Sequence, residues 1–524
     1  MQSVGPSAIG VNHIGLRLVV LVIGQSFTGG SIIALRKSGS ILALAALLSA
    51  CGGGGGSGSN VVSLPPGGGG ATPAPTPAPG STTCSLQSRQ NWAFEQINEW
   101  YLFPETLPAS LSPAPYATVQ DYIDALTATA RSQGRDRFFT YITSIADEEA
   151  FLNSGATAGF GIRLSYDSAS SRVFVLDAFE GAPALAAGID RGTEILAIGT
   201  SSSNLQTVTA LFAQGGAAAV SSALGPSTAG TSRVLRFRDA AGSETTTTIS
   251  KADYDLLPVS PRYGIKILDN GGTRTGYINL RTFIDSAEPQ LRDAFAQFRA
   301  AGVTDLVVDL RYNGGGLVRT AQLFADLMGR DRFAGDLLSV TRFRPSKASN
   351  NETRNFQPRS ESVAPTRIAF ITTGASASAS ELVINAMIPY LGADMALVGS
   401  NTYGKPVGQV GLDRSACDDR IRVIAFATEN ASGNSDYYNG LAGSVANSCQ
   451  APDDLTLPLG DPAEASTARA LGFLAGAACT PISSTSGGRL AGQREAITPS
   501  AALPRELLMP EQPTPAQREV PGAF

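Results

Sequence analysis

Three short motifs carry groups that could perform hydrolytic chemistry, and each lies where an apolar run typical of a buried strand gives way to a helical pattern or a loop. The first motif reads Asp-Leu-Arg-Tyr-Asn-Gly-Gly-Gly over residues 309–316, the second Ser-Ala-Ser-Ala-Ser-Glu over 376–381, and the third Gly-Lys-Pro-Val-Gly-Gln over 404–409. The predicted strands before them cover residues 306–310, 368–372 and 396–399. Alternating strands and helices from residue 256 onward predict an α/β domain.

Ser378 and Lys405 are the residues of these motifs that could form a nucleophile and its base. A serine at a helix N-terminus lies near free N–H groups that stabilise an oxyanion. A lysine that folds against it in a buried site has a lowered pKa, so its neutral amine can remove the hydroxyl proton. The alternatives are that Ser378 only caps the helix together with Glu381, and that Lys405 is a solvated surface residue.

The glycines at 314–316 present backbone N–H groups without side-chain obstruction, which suits an oxyanion hole or a phosphate-binding loop. A phosphate loop would need a GK[ST] or GxGxxG context, which is absent here. We therefore predict an oxyanion hole.

Composition excludes several other functions. The one histidine, His13, lies upstream of a predicted export-signal cleavage site, which excludes Ser-His-Asp, Cys-His and HExxH chemistry in the mature chain. A net charge of -5 with interspersed charges gives no nucleic-acid footprint. Cysteine spacings do not match a zinc site, so we expect no metal and no cofactor.

An export signal is predicted over residues 1–51. Arg36 and Lys37 precede a short apolar run at 41–48, and Leu-Ser-Ala-Cys at 48–51 resembles a bacterial lipoprotein signal, which would leave Cys51 lipidated. The alternative is an ordinary buried helix followed by a chance cysteine. Residues 52–83 read as a Gly/Pro-rich linker. We therefore expect a lipid-anchored protein of the bacterial cell envelope, held at the outer membrane and facing the periplasm.

Four further cysteines remain for disulfides in an oxidising compartment, and three pairings are possible. We expect Cys417 to pair with Cys449 and Cys84 with Cys479.

The chain between linker and tail divides by pattern into three parts. Residues 84–152 show helix-like aromatic spacing, residues 153–255 are β-rich, and residues 256–482 form the α/β domain with the motifs. Residues 483–524, rich in Pro, Glu and Arg, read as a disordered tail.

The β-rich part carries a first family resemblance. Gly159-Phe160-Gly161-Ile162 is similar to the carboxylate-binding loop of PDZ domains, and the runs at 181–189 and 192–198 resemble the helix, turn and strand that follow it. Loop N–H groups of this kind can bind a peptide's terminal carboxylate while a strand edge pairs with its backbone. The alternative is a turn that needs glycine for a positive φ.

In order along the chain, the motifs resemble the carboxyl-terminal processing (tail-specific) serine peptidases over about residues 90–475. That resemblance implies a crotonase-like (ClpP/crotonase-type) α/β catalytic domain with an inserted β-rich PDZ domain and an N-terminal helical segment. It implies the following roles: Ser378 as nucleophile, Lys405 as base, Gln409 as the residue that orients the lysine, Glu381 as a supporting residue, and the N–H groups of Gly315 and Ala379 as oxyanion donors. The chain departs from the family pattern at Pro406 and Gly408.

The expected function is cleavage of proteins that are recognised through their C-termini, through an acyl-enzyme and without a cofactor. Expected partners are protein or peptide substrates and, through the lipid anchor, a membrane, but not nucleic acid. Two alternatives are a catalytically inactive PDZ peptide-binding protein and a small-ligand carrier on the same fold. The sequence does not indicate an oligomeric state.

Overall fold

The computed structural model describes residues 82–483 and 505–524. The predicted export signal, its Cys51 and nearly all of the predicted linker lie outside these ranges. Within the described ranges, no helix is long and apolar enough to cross a membrane.

The described part of the chain begins with helices whose buried apolar residues recur at helical spacing. Its first elements are α1 (Leu86–Trp100), α2 (Val119–Leu126), α3 (Ala128–Ser132), β1 (Tyr141–Ser144) and α4 (Ile145–Ser154). Ser85 caps α1 by accepting the Ser88 N–H, and Thr118 caps α2 in the same way. Ile97 of α1 and Ile123 of α2 are fully buried in one cluster.

The β-rich module follows as an antiparallel sheet with two helices. Its elements are β2 (Ala156–Gly159), β3 (Ile162–Asp167), β4 (Arg172–Ala178), α5 (Pro183–Ala186), β5 (Glu194–Gly199), β6 (Gln206–Thr207), α6 (Val208–Leu224), β7 (Ser232–Arg238), β8 (Glu244–Ser250) and β9 (Ala252–Asp255). The sheet runs β3-β4-β5-β7-β8 with β6 beside β5, and β2 pairs with β9. The β-rich character predicted for residues 153–255 is confirmed by these strands.

The α/β domain contains two sheets. Its elements are β10 (Ile265–Asn270), β11 (Thr273–Asn279), α7 (Ala287–Ala300), β12 (Asp305–Asp309), α8 (Val318–Leu327), β13 (Leu337–Phe343), β14 (Glu352–Asn355), β15 (Arg367–Thr372), α9 (Ala379–Leu391), β16 (Met395–Gly399), β17 (Val407–Arg414), β18 (Asp419–Glu429), β19 (Asn447–Gln450) and α10 (Ala465–Leu474).

The main sheet has the order β10-β11-β12-β15-β16-β19 and is parallel except for the β10–β11 pair. Its central strands are apolar on both sides, as expected for parallel strands covered on both faces. Leu306 and Phe370 pack in the cluster that contains α7, α8 and α9, while Val307 and Ile371 pack toward α10. The carboxyl ends of β12, β15 and β16 therefore share one edge of the sheet, where the three motifs meet.

The second sheet corrects one expectation for the N-terminal segment. It has the order β1-β18-β13-β14 with β17 on β18, and all pairs are antiparallel. Residues 84–152 are thus not entirely helical, because β1 forms the edge of this sheet by pairing with β18. The partner strand lies some 280 residues away, so no local pattern reveals the pairing.

The predicted disulfide pairing is wrong. Cys84 is bonded to Cys417, and Cys449 to Cys479. Cys84 lies just before α1, which packs on β18, and Cys417 lies in the β17–β18 turn, so tertiary packing brings them together. Cys449 lies on β19, the edge strand of the main sheet, and Cys479 follows α10, which contacts that strand.

The predicted disordered tail over 483–524 is also wrong for residues 505–524. These residues contain β20 (Glu506–Leu507), which pairs antiparallel with β3, and α11 (Pro515–Glu519). Leu508 and Val520 are fully buried, because this segment lays its apolar side chains on the β-rich module. Prolines and charged residues dominate its composition, but its apolar residues find partners that the composition does not show.

Candidate active site

Ser378 lies between β15 and α9 in a backbone conformation that is rare for a side-chain-bearing residue. Its φ is +54°, and such strain away from glycine persists only where the surroundings hold it, as at nucleophile turns. The Ser378 carbonyl accepts the Leu382 N–H at 2.8 Å, so the residue begins α9. Ser378 is partly exposed and lines a cavity together with Gln409. The turn therefore presents the hydroxyl to an open site at a helix N-terminus.

Lys405 lies on the loop between β16 and β17 with its amine directed at Gln409. The amine donates to Gln409 Oε1 at 3.0 Å and lies 4.9 Å from the centre of the Phe139 ring. The Gln409 amide in turn donates to the Phe139 carbonyl. The predicted orienting contact between Gln409 and Lys405 is therefore present, and Phe139 supports both residues.

The electrostatic surroundings of Lys405 favour its neutral form. Burial lowers the pKa of the Lys405 amine below its ordinary value, and the nearby Arg422 and Arg518 act in the same direction. Glu519 and Asp136 oppose the shift. Because burial is the largest cause, the amine can serve as a proton acceptor at a lower pH than a solvated lysine.

Glu381 connects the serine turn to the lysine loop. Its fully buried carboxylate accepts the N–H of Ser378 at 3.0 Å, of Gly404 at 2.7 Å and of Lys405 at 2.7 Å. Burial raises the pKa of Glu381, while these hydrogen bonds and one from Thr402 oppose the rise. The capping contact considered for Glu381 therefore exists, but the same carboxylate also fixes the lysine loop.

The backbones of Ser378 and Lys405 lie close together, but no hydrogen bond joins their side chains. The Ser378 and Lys405 backbone N–H groups bind the same Glu381 oxygen, so their nitrogens lie within two hydrogen-bond lengths of each other. Within the described parts of the chain, the Lys405 amine hydrogen-bonds only to Gln409, and not to the Ser378 hydroxyl. Catalytic hydrogen bonds often shorten only when substrate binds.

The glycine-rich turn packs directly on Ser378. A Cβ added to Gly315 would lie 2.8 Å from Ser378 Cβ and 3.2 Å from Ala379 N, so only glycine allows this approach. The Gly315 N–H, predicted as an oxyanion donor, donates here to Asn313 Oδ1 at 3.0 Å. The Ala379 N–H has no acceptor among the described residues. Of the two predicted donors, the Gly315 N–H is engaged, whereas the Ala379 N–H has no partner within residues 82–483 and 505–524.

A buried ionic network supports this turn from behind and reaches the β-rich module. Arg311 forms ion pairs with Asp309 and Glu464, all essentially buried. Next to it, Arg191 of the module donates to the Tyr312 hydroxyl at 3.1 Å and to Asp453 at 3.0 Å. The oxyanion turn is thus fixed by a residue of the neighbouring module.

Arg137 is a supporting residue that the sequence motifs did not identify. Its guanidinium donates to the carbonyls of Tyr403, at 2.9 Å, and of Gly404, and lies 4.1 Å from the centre of the Tyr403 ring. It thereby fixes the lysine loop from the N-terminal segment. No local signal distinguishes it, because Arg131 and Arg135 lie close to it in the sequence.

The predicted peptide-binding loop of the module is occupied by the chain itself. Gly159 ends β2, and Phe160 and Ile162 are fully buried in the module's core. The N–H groups of Gly161 and Ile162 both donate to the Phe524 carbonyl oxygen, at 2.9 and 3.3 Å. These residues therefore hold a peptide backbone oxygen.

No cluster of three histidine, cysteine or carboxylate side chains with metal-binding geometry occurs within residues 82–483 and 505–524. The candidate catalytic groups described above are side chains and backbone amides of this chain.

Residues 274–439 match the model of Peptidase family S41. The chain is 27% identical over 333 residues to Carboxyl-terminal-processing peptidase 1, chloroplastic, of Arabidopsis thaliana, covering 60% of this chain and 62% of that protein. It is 27% identical over 264 residues to the carboxyl-terminal-processing protease of Picosynechococcus sp., covering 48% of this chain and 55% of that protein.

Among solved structures, a putative S41 protease from Bacteroides fragilis superposes with a TM-score of 0.57 at 23% identity, covering 74% of this chain and 97% of that one. The superposed region covers more of the chain than residues 274–439, so the shared fold extends beyond the part that matches the family model. The chain spans 62% or less of the length of the curated relatives named here.

Proposed function

Because the chain belongs to the carboxyl-terminal processing serine peptidases of family S41, we propose that it is a serine endopeptidase with a Ser378/Lys405 dyad. The observation that carries the proposal is the Glu381 carboxylate, which binds the backbone N–H of both dyad residues. A carboxylate that only capped α9 would not also need to bind the Gly404 and Lys405 N–H groups of the lysine loop. The lowered pKa of Lys405 supports the same role.

In the first half of the reaction, the neutral Lys405 amine removes the Ser378 hydroxyl proton as the oxygen attacks a peptide carbonyl. The resulting ammonium gives that proton to the leaving amine, and an acyl-enzyme remains. In the second half, water attacks the ester and Lys405 takes its proton, which then returns to Ser378. Gln409, which accepts from the amine, orients it through both halves.

The tetrahedral oxyanion needs donors that face it at the moment of attack. We assign one donor to the Ala379 N–H, which follows Ser378 and lies in the first turn of α9. The second assigned donor is the Gly315 N–H, which must exchange its bond to Asn313 for one to the oxyanion. On this assignment, the Gly315 N–H becomes an oxyanion donor only when substrate is bound.

We assign the β-rich module as an inserted PDZ domain on a crotonase-like catalytic domain. Gly161 and Ile162 donate to a peptide oxygen, and β3 offers its edge for strand pairing. On this assignment, a substrate's C-terminus binds at the module and the adjoining chain enters the cleft beside Ser378. For location, we propose a lipid anchor at Cys51 that holds the enzyme at the envelope, facing the periplasm.

The test is to incubate the purified chain with an unfolded protein that carries a defined C-terminal tail, and to identify new termini by mass spectrometry. Ser378→Ala is expected to abolish cleavage while retaining peptide binding and the unfolding midpoint. The matched control is Ser376→Ala, since Ser376 bonds the Leu310 carbonyl rather than facing the cleft. Cleavage that persists in Ser378→Ala would contradict the proposal. No cleavage by the unmodified chain, with binding retained, would favour a silent peptide-binding protein.

A further inference from the structure

Residues 505–524 add to the β-rich module in the manner of a bound peptide. The Phe524 N–H donates to the Ile162 carbonyl at 2.8 Å, and the Leu164 N–H donates to the Gly522 carbonyl at 2.8 Å. The Gly161 and Ile162 N–H groups complete this set of backbone hydrogen bonds by donating to the Phe524 carbonyl oxygen. The segment therefore pairs along the β3 edge, which is the mode of strand addition used by peptide-binding domains.

The fit between segment and groove is close on both sides. A Cβ on Gly159 would lie 2.9 Å from the Phe524 carbonyl carbon, so the loop has room for this oxygen only because residue 159 is glycine. Gly522 has a φ of +84°, and a Cβ there would lie 2.8 Å from the Leu164 carbonyl. Phe524 itself is only 3% exposed and belongs to the module's apolar core cluster, together with Phe160.

The same segment reaches the catalytic cleft. The Gly314 N–H donates to the Glu519 carbonyl at 3.1 Å, and a Cβ on Gly314 would lie 2.9 Å from that oxygen. Pro515 and Glu519 line the cavity that also contains Ser378 and Gln409. The segment thus covers both the predicted recognition loop and the side of the cleft next to the oxyanion turn.

Of the two charged residues that the segment brings near Lys405, Arg518 lowers the pKa of its amine, and Glu519, with the larger effect, raises it. The Glu519 carboxylate lies near the Lys405 amine and favours its protonated form. A protonated amine cannot accept the Ser378 proton. Helix α11 therefore fills part of the cleft, and its Glu519 favours the protonated form of Lys405, which cannot act as a base.

We propose that residues 505–524 are an intramolecular ligand of the β3 groove and the adjoining cleft, and that the groove accepts substrate tails that place an aromatic residue where Phe524 lies. The statement about substrate tails rests on the proposed function, whereas the binding of residues 505–524 does not. Because the segment is tethered, its effective concentration at the groove far exceeds that of a free peptide. Substrate tails gain access only by displacing it.

The first experiment measures peptide binding in a Ser378→Ala background, which needs no catalysis. The probe is a fluorescent peptide with the sequence of residues 514–524, added to Ser378→Ala alone, with Phe524→Asp, and with Glu511→Gln as an exposed control in the same segment. The Phe524→Asp protein is expected to bind the probe at least tenfold more tightly, and the control to match the parent. Equal affinity of all three proteins, or no binding to Phe524→Asp, would overturn the proposal.

The second experiment leaves the segment unchanged and so does not depend on how Phe524→Asp folds. Hydrogen exchange of residues 514–524 is followed in Ser378→Ala with and without a saturating peptide that ends in Gly-Ala-Phe. The same peptide ending in Gly-Ala-Asp is the control. The Phe-ended peptide is expected to remove protection from the segment, and the Asp-ended peptide to leave it. Unchanged protection with the Phe-ended peptide, or equal loss with both, would overturn the proposal. Neither experiment requires cleavage, so failure of the proposed function would be seen separately, in the cleavage assay.

Discussion

The backbone N–H groups of Lys405 and Ser378 share one acceptor, the Oε2 atom of Glu381, at 2.7 and 3.0 Å. These two residues come from loops that follow different strands of the main sheet. A single buried carboxylate therefore sets the backbone separation of the proposed nucleophile and the proposed base.

Replacing Glu381 with Gln tests this arrangement. The amide keeps the shape but directs an NH2 group at one of the three N–H donors, which costs about 1–3 kcal/mol for the unsatisfied group. We expect kcat to fall by roughly 10- to 100-fold, with a lowered unfolding midpoint. Glu95→Gln, on the exposed side of α1, is the control. Unchanged kcat in Glu381→Gln would remove the positioning role.

The pH dependence of kcat/KM tests the state of Lys405. Activity requires the neutral amine, so it is lost as pH falls through the Lys405 pKa, and burial places that pKa below the ordinary lysine value. The charged neighbours are Glu519 and Asp136, which raise the pKa, and Arg422 and Arg518, which lower it. Glu519→Gln removes one raising neighbour, so we expect the midpoint to move to lower pH.

The control for this profile is Glu511→Gln, which should leave the midpoint in place because Glu511 is exposed. A midpoint that rises in Glu519→Gln, or a rate independent of pH up to the range of free lysine, would contradict the assignment of Lys405 as base.

Gly408 departs from the family pattern, and the structure gives a reason. A Cβ at this position would overlap the Phe426 ring, and the β17–β18 register shifts between Gly408 and Gln409. We expect Gly408→Val to destabilise the fold by about 1–3 kcal/mol and to lower kcat by disturbing the aim of Gln409.

Adding Phe426→Ala to Gly408→Val should restore part of both losses, because it removes the overlapping ring. Urea unfolding of the two single variants and the double variant in a Ser378→Ala background gives the coupling energy. If the losses of stability in the two single variants simply add in the double variant, the overlap with Phe426 is not the reason for glycine at position 408.

The two disulfides should differ in their contribution to stability. The Cys84–Cys417 bond closes 333 residues and the Cys449–Cys479 bond only 30. Since loop entropy grows with length, paired replacement by serine should cost about 2–5 kcal/mol at the first bond and less at the second. Urea unfolding measures both costs. Non-reducing peptide mapping that joins Cys84 to Cys479 would contradict the pairing.

Sequence patterns located the strands and the helix around the candidate site because those patterns are local. The apolar runs before Ser378 and Lys405 correspond to β15 and β16, and Glu381 lies three residues after the helix cap. The contact between Gln409 and Lys405 needed only four residues of spacing. What the patterns did not give was the Glu381 contact to the lysine loop, which crosses from one motif to another.

Non-local pairing explains the remaining errors. The β1 strand, the Cys84–Cys417 bond and the segment from 505 to 524 depend on partners hundreds of residues away. One local signal for the segment was present. The Thr514 side chain accepts the Gln517 N–H, the Gln517 side chain accepts the Thr514 N–H, and Pro515 occupies the first position of α11. The prediction of a disordered tail rested on the high content of Pro, Glu and Arg and did not use this capping pattern.

Covalent labelling tests the central claim, that the Lys405 amine activates Ser378, most directly. The chain is treated with a serine-directed fluorophosphonate, and the modified residue is mapped by mass spectrometry in the unmodified protein, in Lys405→Ala, and in Lys347→Ala as a control at a half-buried lysine that pairs with Glu99. We predict labelling of Ser378 in the unmodified protein and in Lys347→Ala, and loss of that labelling in Lys405→Ala. Undiminished labelling of Ser378 without Lys405, or labelling at another serine in all three proteins, would contradict it.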